Sequence, residues 1–412
     1  MNRYRAKMQR RSMVKKIYIL LIGILLVFVM NVFPAFAQEE VSIQSRAAIL
    51  MEFDSGKVIW SKNPDMKTPP ASITKLMTYH LVMDAVEVGK ISLEDRVIIS
   101  EKAAAEKGTS YNLKAGDIVS LEKLIDAMLI VSGNDAAYAI AEYVGGSAEY
   151  FIDQMNVEAK RLGMEGTTFV NPNGMPAEGT GNITTARDIG ILSRYLIDRY
   201  GEDLLPVTRR GSFEDAERSF KKDNTNRLLN VLPRVDGLKT GFTNAAGYCL
   251  SSTLKVESQE VGTSDFRLIA VVLGAQSDQQ RVADSKKLLE YGASTYSRQG
   301  IIKAGEIVQK YHFWDIESLE IGLTAEEDVL LFGPKAGAVK QQEIFMLPEL
   351  GLPIAEGQKL GELILTLYDD SKMYVELVSD RDLKRVPLRL RMLKWWWGFS
   401  GFMVTLVEYF TG

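Results

Sequence analysis

Five serines in this 412-residue chain stand three residues before a lysine: Ser12, Ser72, Ser120, Ser219 and Ser252. Such a pair can be a nucleophile with its general base. Residues three apart return to one face of a helix, and a lysine of lowered pKa can take a hydroxyl proton. Spacing alone does not choose among the five, but context does. Ser72 lies in PPASITKLMT, where Pro69 and Pro70 suit the lead-in to a helix. A helix starting near Ser72 would aim its first amides at the hydroxyl and favour negative charge developing there. Ser12 belongs to the N-terminal basic segment, Ser120 opens a different helix, Ser219 lies in a charged stretch, and Ser252 falls on a predicted strand.

Two further segments give the Ser72–Lys75 pair its partners. VSGNDAA places Ser132-Gly133-Asn134 just after a predicted helix, and DGLKTGFT places Lys239-Thr240-Gly241 at the opening of a predicted strand. Ser-x-Asn alone says little, since Ser61-Lys62-Asn63 and Ser110-Tyr111-Asn112 also match it. Lys-Thr-Gly occurs once. Ser-x-x-Lys, Ser-x-Asn and Lys-Thr-Gly, in that order, are the three elements of the active-serine penicillin-recognising enzymes.

On these motifs the chain resembles the low-molecular-mass penicillin-binding proteins of the D-alanyl-D-alanine carboxypeptidase type. The resemblance runs from about Ile43 to the C-terminus and includes NITTARDIGILSRYL, VDGLKTGFTNAAGY and RLIAVVLGAQSDQQR. It implies that Ser72 attacks the carbonyl between the two terminal D-alanines of a peptidoglycan stem peptide, with Lys75 taking its proton. It implies that Ser132 relays that proton to the leaving amine and that Asn134 holds the peptide amide. Lys239 would supply positive charge, Thr240 would bind the terminal carboxylate, and the N–H groups of Ser72 and Phe242 would form the oxyanion hole beside Gly241. Arg281 matches an arginine that helps bind the carboxylate, and Arg227 in NTNRLLN matches a second. β-Lactams would acylate the same serine, and no cofactor or metal is implied. Two positions depart from the family pattern: Phe242 and Asn173 each stand where a histidine is common.

The residues that do no chemistry set the frame. With His80 and His312 as the sole histidines, a histidine metal site or a Ser-His-Asp triad is poorly supplied. The lone cysteine, Cys249, sits in an apolar run and reads as a small core residue. Arg3 to Lys16 carries seven basic residues and no acid, and leads into an apolar run from Ile17 to Val32 and then Ala35-Phe36-Ala37. This is the pattern of an export signal cleaved after Ala37. Its removal leaves 42 basic against 53 acidic residues, a balance that argues against a nucleic-acid partner.

At the other end, Lys384, Arg385, Arg389, Arg391 and Lys394 lead into Trp395-Trp396-Trp397 and an uncharged run of 13 residues to Val407. That run is too short to span a bilayer. As a helix it has a small-or-polar face and an aromatic face, which suits a helix lying in the membrane surface. The expected location is therefore the outer face of the cytoplasmic membrane.

Between the ends, AAILMEF and KVIWSKN read as a β-hairpin, helical periodicity dominates from about Thr74 to Leu196, and strands return with GYCLSSTL and RLIAVVLGA. Strands at both ends of one domain with a helical insert predict an α/β (α+β) fold whose sheet is assembled from both ends. From about Gly300 short strands separated by Gly, Pro and Asp turns predict a small all-β domain. The expected division is a signal at 1–37, a catalytic domain at 38–299, a β-domain at 300–380 and an amphipathic anchor at 381–412. An endopeptidase that cuts cross-links would use the same residues. A catalytically idle wall-binding protein is the rival of a different class, against which the intact motif set argues.

Overall fold

The computed structural model describes residues 41–176, 180–312, 320–348 and 352–384. The expected signal segment lies outside them, as does the expected anchor beyond Lys384. The catalytic part is built on one antiparallel sheet. Its first hairpin is β1 (Ala47–Glu52) and β2 (Val58–Lys62). The helices α1 (Lys75–Glu87), α2 (Leu121–Ile130), α3 (Asn134–Gly145), α4 (Ala148–Arg161) and α5 (Ala186–Thr208) follow. The chain then returns to the sheet with β3 (Val235–Thr243), β4 (Gly247–Val256) and β5 (Phe266–Ala275), and closes with α6 (Asp278–Thr295).

The strand order is β2-β1-β5-β4-β3. The N-terminal hairpin is thus completed by strands from the far end, in the arrangement the sequence predicts. β5 binds β1 in the register Ala47↔Leu273 and binds β4 on its other side. Ile49, Met51, Ile269, Val271 and Leu273 face the helical core with Leu76, Met77, Leu124, Ile140, Ile189 and Leu196. Each fully buried side chain of this kind contributes roughly 1.5–3 kcal/mol. Cys249 lies fully buried.

Helix starts follow from side-chain caps at the structural helices. The hydroxyls of Ser120, Ser147, Thr185 and Ser277 each accept an N–H from the first turn of α2, α4, α5 and α6, replacing backbone acceptors the first turn lacks. The helices that open onto the motif residues differ, for neither α1 nor α3 has a side-chain cap hydrogen bond. Ser132 and Asn134 are therefore not spent on capping.

After α6 the chain enters an all-β part. β6 (Tyr296–Ile302) pairs with β9 (Val329–Pro334) and with the short strand Thr263–Ser264. β7 (Ile307–His312), β8 (Glu320–Thr324), β10 (Val339–Met346), β11 (Lys359–Leu367) and β12 (Lys372–Ser379) form a second sheet in the order β7-β8-β12-β11-β10. Its own core contains Ile321, Leu323, Leu331, Leu360, Leu363, Leu365 and Leu377. The two parts touch where Lys57 at the tip of the first hairpin reaches Asp369, at 2.5 Å, and lies over the ring of Tyr368. Arg298 of β6 reaches Asp54 on the same tip.

Candidate active site

The segment around Ser72 is not the simple helix start that the spacing suggests. Ala71–Thr74 forms a 3₁₀ turn, and α1 begins only at Lys75. The tightening comes from the Ile73 N–H, which bonds the Pro70 carbonyl at 3.2 Å, and from Ala71, held at φ 48°. A non-glycine residue there is uncommon and is held by its surroundings. Those surroundings are visible. A Cβ on Gly174 would lie 1.8 Å from the Ala71 carbonyl oxygen, and one on Gly241 would lie 2.7 Å from Pro70 O and 3.0 Å from Ser72 N. Two glycines thus let a loop and strand β3 close on the turn from different directions.

Lys75 is fully buried, whereas Ser72 is partly accessible. The Lys75 Nζ lies 2.9 Å from Ser72 Oγ, 2.7 Å from Asn134 Oδ1 and 2.8 Å from the carbonyl oxygen of Asn173. Burial, and after it the positive charge of Lys239, hold the amine well below the usual lysine range, against the pull of Asp135 and Glu106. A neutral amine has two N–H groups and one lone pair. Asn134 Oδ1 and Asn173 O can only accept, so they take the two N–H groups. The lone pair is then left for the proton of the Ser72 hydroxyl.

Asn134 is held in that orientation from behind. Its Nδ2 donates to Lys107 O at 2.6 Å and its backbone N–H to Thr109 O at 2.7 Å. The 107–113 loop is itself fixed by the buried carboxylate of Asp135, which accepts from Ser110 Oγ and from the N–H groups of Tyr111 and Leu113. Ser132 sits at the turn between α2 and α3, at φ 65° and nearly buried.

The opposite wall is β3. The Lys-Thr-Gly segment lies inside this strand rather than at its start. Val235, Gly237 and Leu238 before it already pair with β4, and Asp236, where the register shifts, is clamped by both terminal nitrogens of Arg267. Lys239 is buried, donates to Thr240 O at 3.0 Å, and is pushed down to about 7 by burial and by Arg281. Thr240 Oγ donates to Thr225 Oγ at 2.6 Å. Phe242 is the next residue after the glycine that packs on Ser72 N, so its N–H follows directly along the strand.

Arg281 is buried behind β3, where it donates to the carbonyl oxygens of Gly241 and Cys249 and pairs with Asp278 at 2.6 Å. Arg227 is mostly exposed and meets the same Asp278 at 3.2 Å. The structure thus brings Ser72, Lys75, Asn134, Lys239 and Gly241 together, with Ser132 two residues before Asn134, Thr240 and Phe242 flanking Gly241 on β3, Arg281 behind that strand and Arg227 on the solvent side of Asp278. Three participants carried no signal of their own: Thr225, the main-chain carbonyl of Asn173, and Glu106, which accepts from Asn173 Nδ2 at 2.7 Å. Among the described residues no group of three or more His, Cys, Asp or Glu side chains could hold a metal ion. The arrangement sets a serine hydroxyl against a buried amine shifted toward its neutral form, with a second buried lysine on the facing strand, groups of the kind that acyl transfer uses.

Comparison with known proteins agrees with this chemistry. The family described as D-alanyl-D-alanine carboxypeptidase matches residues 34–277, and the family described as Penicillin-binding protein 5, C-terminal domain, matches residues 296–385. The chain is 34% identical over 379 residues to the D-alanyl-D-alanine carboxypeptidase DacF of Bacillus subtilis, covering 89% of this chain and 94% of that protein. Penicillin binding protein 5 from Haemophilus influenzae superposes with a TM-score of 0.66 at 29% identity, covering 84% of this chain and 98% of the other. Penicillin-binding protein D2 from Listeria monocytogenes, solved in its ampicillin-bound form, superposes at 0.51 with 32% identity over 61% of this chain and 97% of its own. With the motif residues gathered in one cleft and the family match covering more than half its length, the chain belongs to the D-alanyl-D-alanine carboxypeptidase family.

Proposed function

We propose that this protein is a serine-type D-alanyl-D-alanine carboxypeptidase, which removes the terminal D-alanine from peptidoglycan stem peptides through an acyl-enzyme on Ser72. The observation that carries the reading is the Ser72–Lys75 contact at 2.9 Å, in which a buried amine has both N–H groups engaged elsewhere. As the Ser72 oxygen attacks the penultimate carbonyl, its proton passes to Lys75 Nζ. The developing oxyanion is met by the N–H groups of Ser72 and Phe242, donors of a kind worth about 3 kcal/mol each. Collapse breaks the peptide C–N bond, and the proton returns through Ser132 to the leaving nitrogen. Thr240 receives the terminal carboxylate, and Lys239 supplies positive charge beside it. Water then attacks the ester and regenerates Ser72. A β-lactam follows the first half of this course, but its cleaved amide nitrogen stays tethered to the acyl group.

The test is D-alanine release from diacyl-L-Lys-D-Ala-D-Ala by the wild type and by Ser72→Ala. Release by the first and none by the second is expected; equal release by both would remove Ser72 from the mechanism. The cross-link endopeptidase and the idle wall-binding protein are not favoured by these comparisons.

We further propose that residues 1–37 direct export, and that 381–412 hold the enzyme at the outer surface of the cytoplasmic membrane. The basic start and tryptophan cluster of that segment support the second part. Co-sedimentation with vesicles containing anionic lipid should be lost on deleting 381–412, and undiminished binding would exclude the segment as an anchor.

A further inference from the structure

Phe242 is about half exposed, at 48%, although Leu238 to Gly241 before it on the strand are buried. Its ring lies against that of Tyr248, directly opposite on β4, with centroids 4.2 Å apart and planes inclined by 31°. Arg281 holds this pair from behind: its guanidinium lies 5.4 Å from the Tyr248 ring centre while it donates to the carbonyls of Gly241 and Cys249. The result is a fixed aromatic surface beside the cleft.

Strand geometry says which part of a substrate meets it. Side chains alternate along a strand, and the pairing of β3 with β4 is regular from Leu238 to Thr243. Lys239 and Gly241 therefore share one face, and Gly241 is packed on the Ser72 turn. Thr240 and Phe242 share the other face, about 7 Å apart along the strand. The carboxylate placed at Thr240 belongs to the residue that leaves. The scissile carbonyl lies at the Phe242 N–H in the reading above, so the side chain of the leaving residue, on the carbon between that carbonyl and the carboxylate, falls between Thr240 and Phe242 on this face.

We propose that Phe242 and Tyr248 form the subsite for the side chain of the leaving residue, and that they favour apolar D-residues there, including ones larger than alanine. The proposal rests on the carboxypeptidase reading above. It has a kinetic signature, because the leaving residue departs on acylation. Its identity should therefore affect kcat/KM, which reports steps up to acylation, and leave deacylation of the shared acyl-enzyme untouched.

The experiment uses the full chain in mild detergent with diacyl-L-Lys-D-Ala-X, where X is D-alanine, D-leucine or D-serine. It compares wild type with Phe242→Ala, Phe242→Leu and Tyr248→Ala, each checked for folding by thermal melting. Phe242→Ala should lower the D-leucine to D-alanine ratio of kcat/KM by about tenfold, the range that one or two methylenes in an apolar pocket are worth. Phe242→Leu should lower it less, and Tyr248→Ala should move it in the same direction. An unchanged ratio in the folded Phe242 variants would overturn the subsite while leaving the carboxypeptidase standing. A wild type that releases no D-residue from any of the three peptides would overturn the carboxypeptidase reading, and the subsite with it.

Discussion

On the helical side of the cleft, Lys75 meets Ser72 Oγ, Asn134 Oδ1 and Asn173 O, all within 2.9 Å, whereas on the strand side Lys239 donates to the neighbouring Thr240 carbonyl at 3.0 Å. Both amines are buried and both are held below the usual lysine range. The same residue type under the same desolvation is nevertheless prepared for different work. In its neutral form Lys75 gives its two N–H groups to Asn134 and Asn173 and keeps a lone pair for the Ser72 hydroxyl, the arrangement a general base needs. Lys239 keeps donors available for an anion, and an arriving carboxylate would favour its charged form and raise its pKa. What separates the two lysines is the set of acceptors around each, fixed by the element that carries it.

Breaking the helical side should cost most. Lys75→Met removes the base and should slow acylation by penicillin roughly 10²- to 10⁴-fold, the usual contribution of a positioned general base; loss of less than tenfold would move the base elsewhere. Gly241→Ala leaves every functional group in place but sets a Cβ 3.0 Å from Ser72 N and 2.7 Å from Pro70 O. Forced separation of the two walls should lower kcat/KM for D-alanine release about 10²-fold, as displacements of this scale do. Unchanged kinetics would mean that the walls tolerate separation.

Lys239→Gln should act more on KM than on kcat, by roughly 10- to 100-fold, the value of a hydrogen bond to a charged group. The same variant tests the coupling of the two lysines by pH. Lys75 must be neutral to act, so kcat/KM falls as pH drops through its lowered pKa. Removing the positive neighbour eases protonation of Lys75, and the acid limb should move to higher pH. In the wild type, Lys239 loses its charge as pH rises through about 7 in the free enzyme, so KM should rise on that side. An acid limb that stays in place in Lys239→Gln would show that the two amines do not interact.

Much of this was legible in the residues because the motifs name side chains that do chemistry. Ser72, Lys75, Ser132, Asn134 and Lys239 could be picked out by type and spacing, and the two-ended sheet followed from strands flanking a helical insert. The 3₁₀ turn at Ala71–Thr74 was not legible, because it is imposed by a loop and a strand arriving from distant parts of the chain. The acceptor at Asn173 was hidden for another reason: it is a main-chain carbonyl, which any residue would supply. Thr225 lies outside the motifs and gains its role only because its segment packs on β3. Arg227, taken from the resemblance, meets Asp278 near the surface, while Arg281 lies buried behind the strand wall.

The strand order has a consequence for how the protein is made. β5, at the centre of the sheet, is the last of its five strands to be synthesised. Until Phe266–Ala275 emerges, the β1–β2 hairpin and the β3–β4 pair have no strand in common, and each presents an open edge. The N-terminal hairpin must therefore wait for more than 200 residues of chain before it finds its partner. Such long-range pairing is slow and leaves edges exposed to aggregation. A chain stopped short of Phe266 would carry nearly all the catalytic residues and still have no sheet to mount them on.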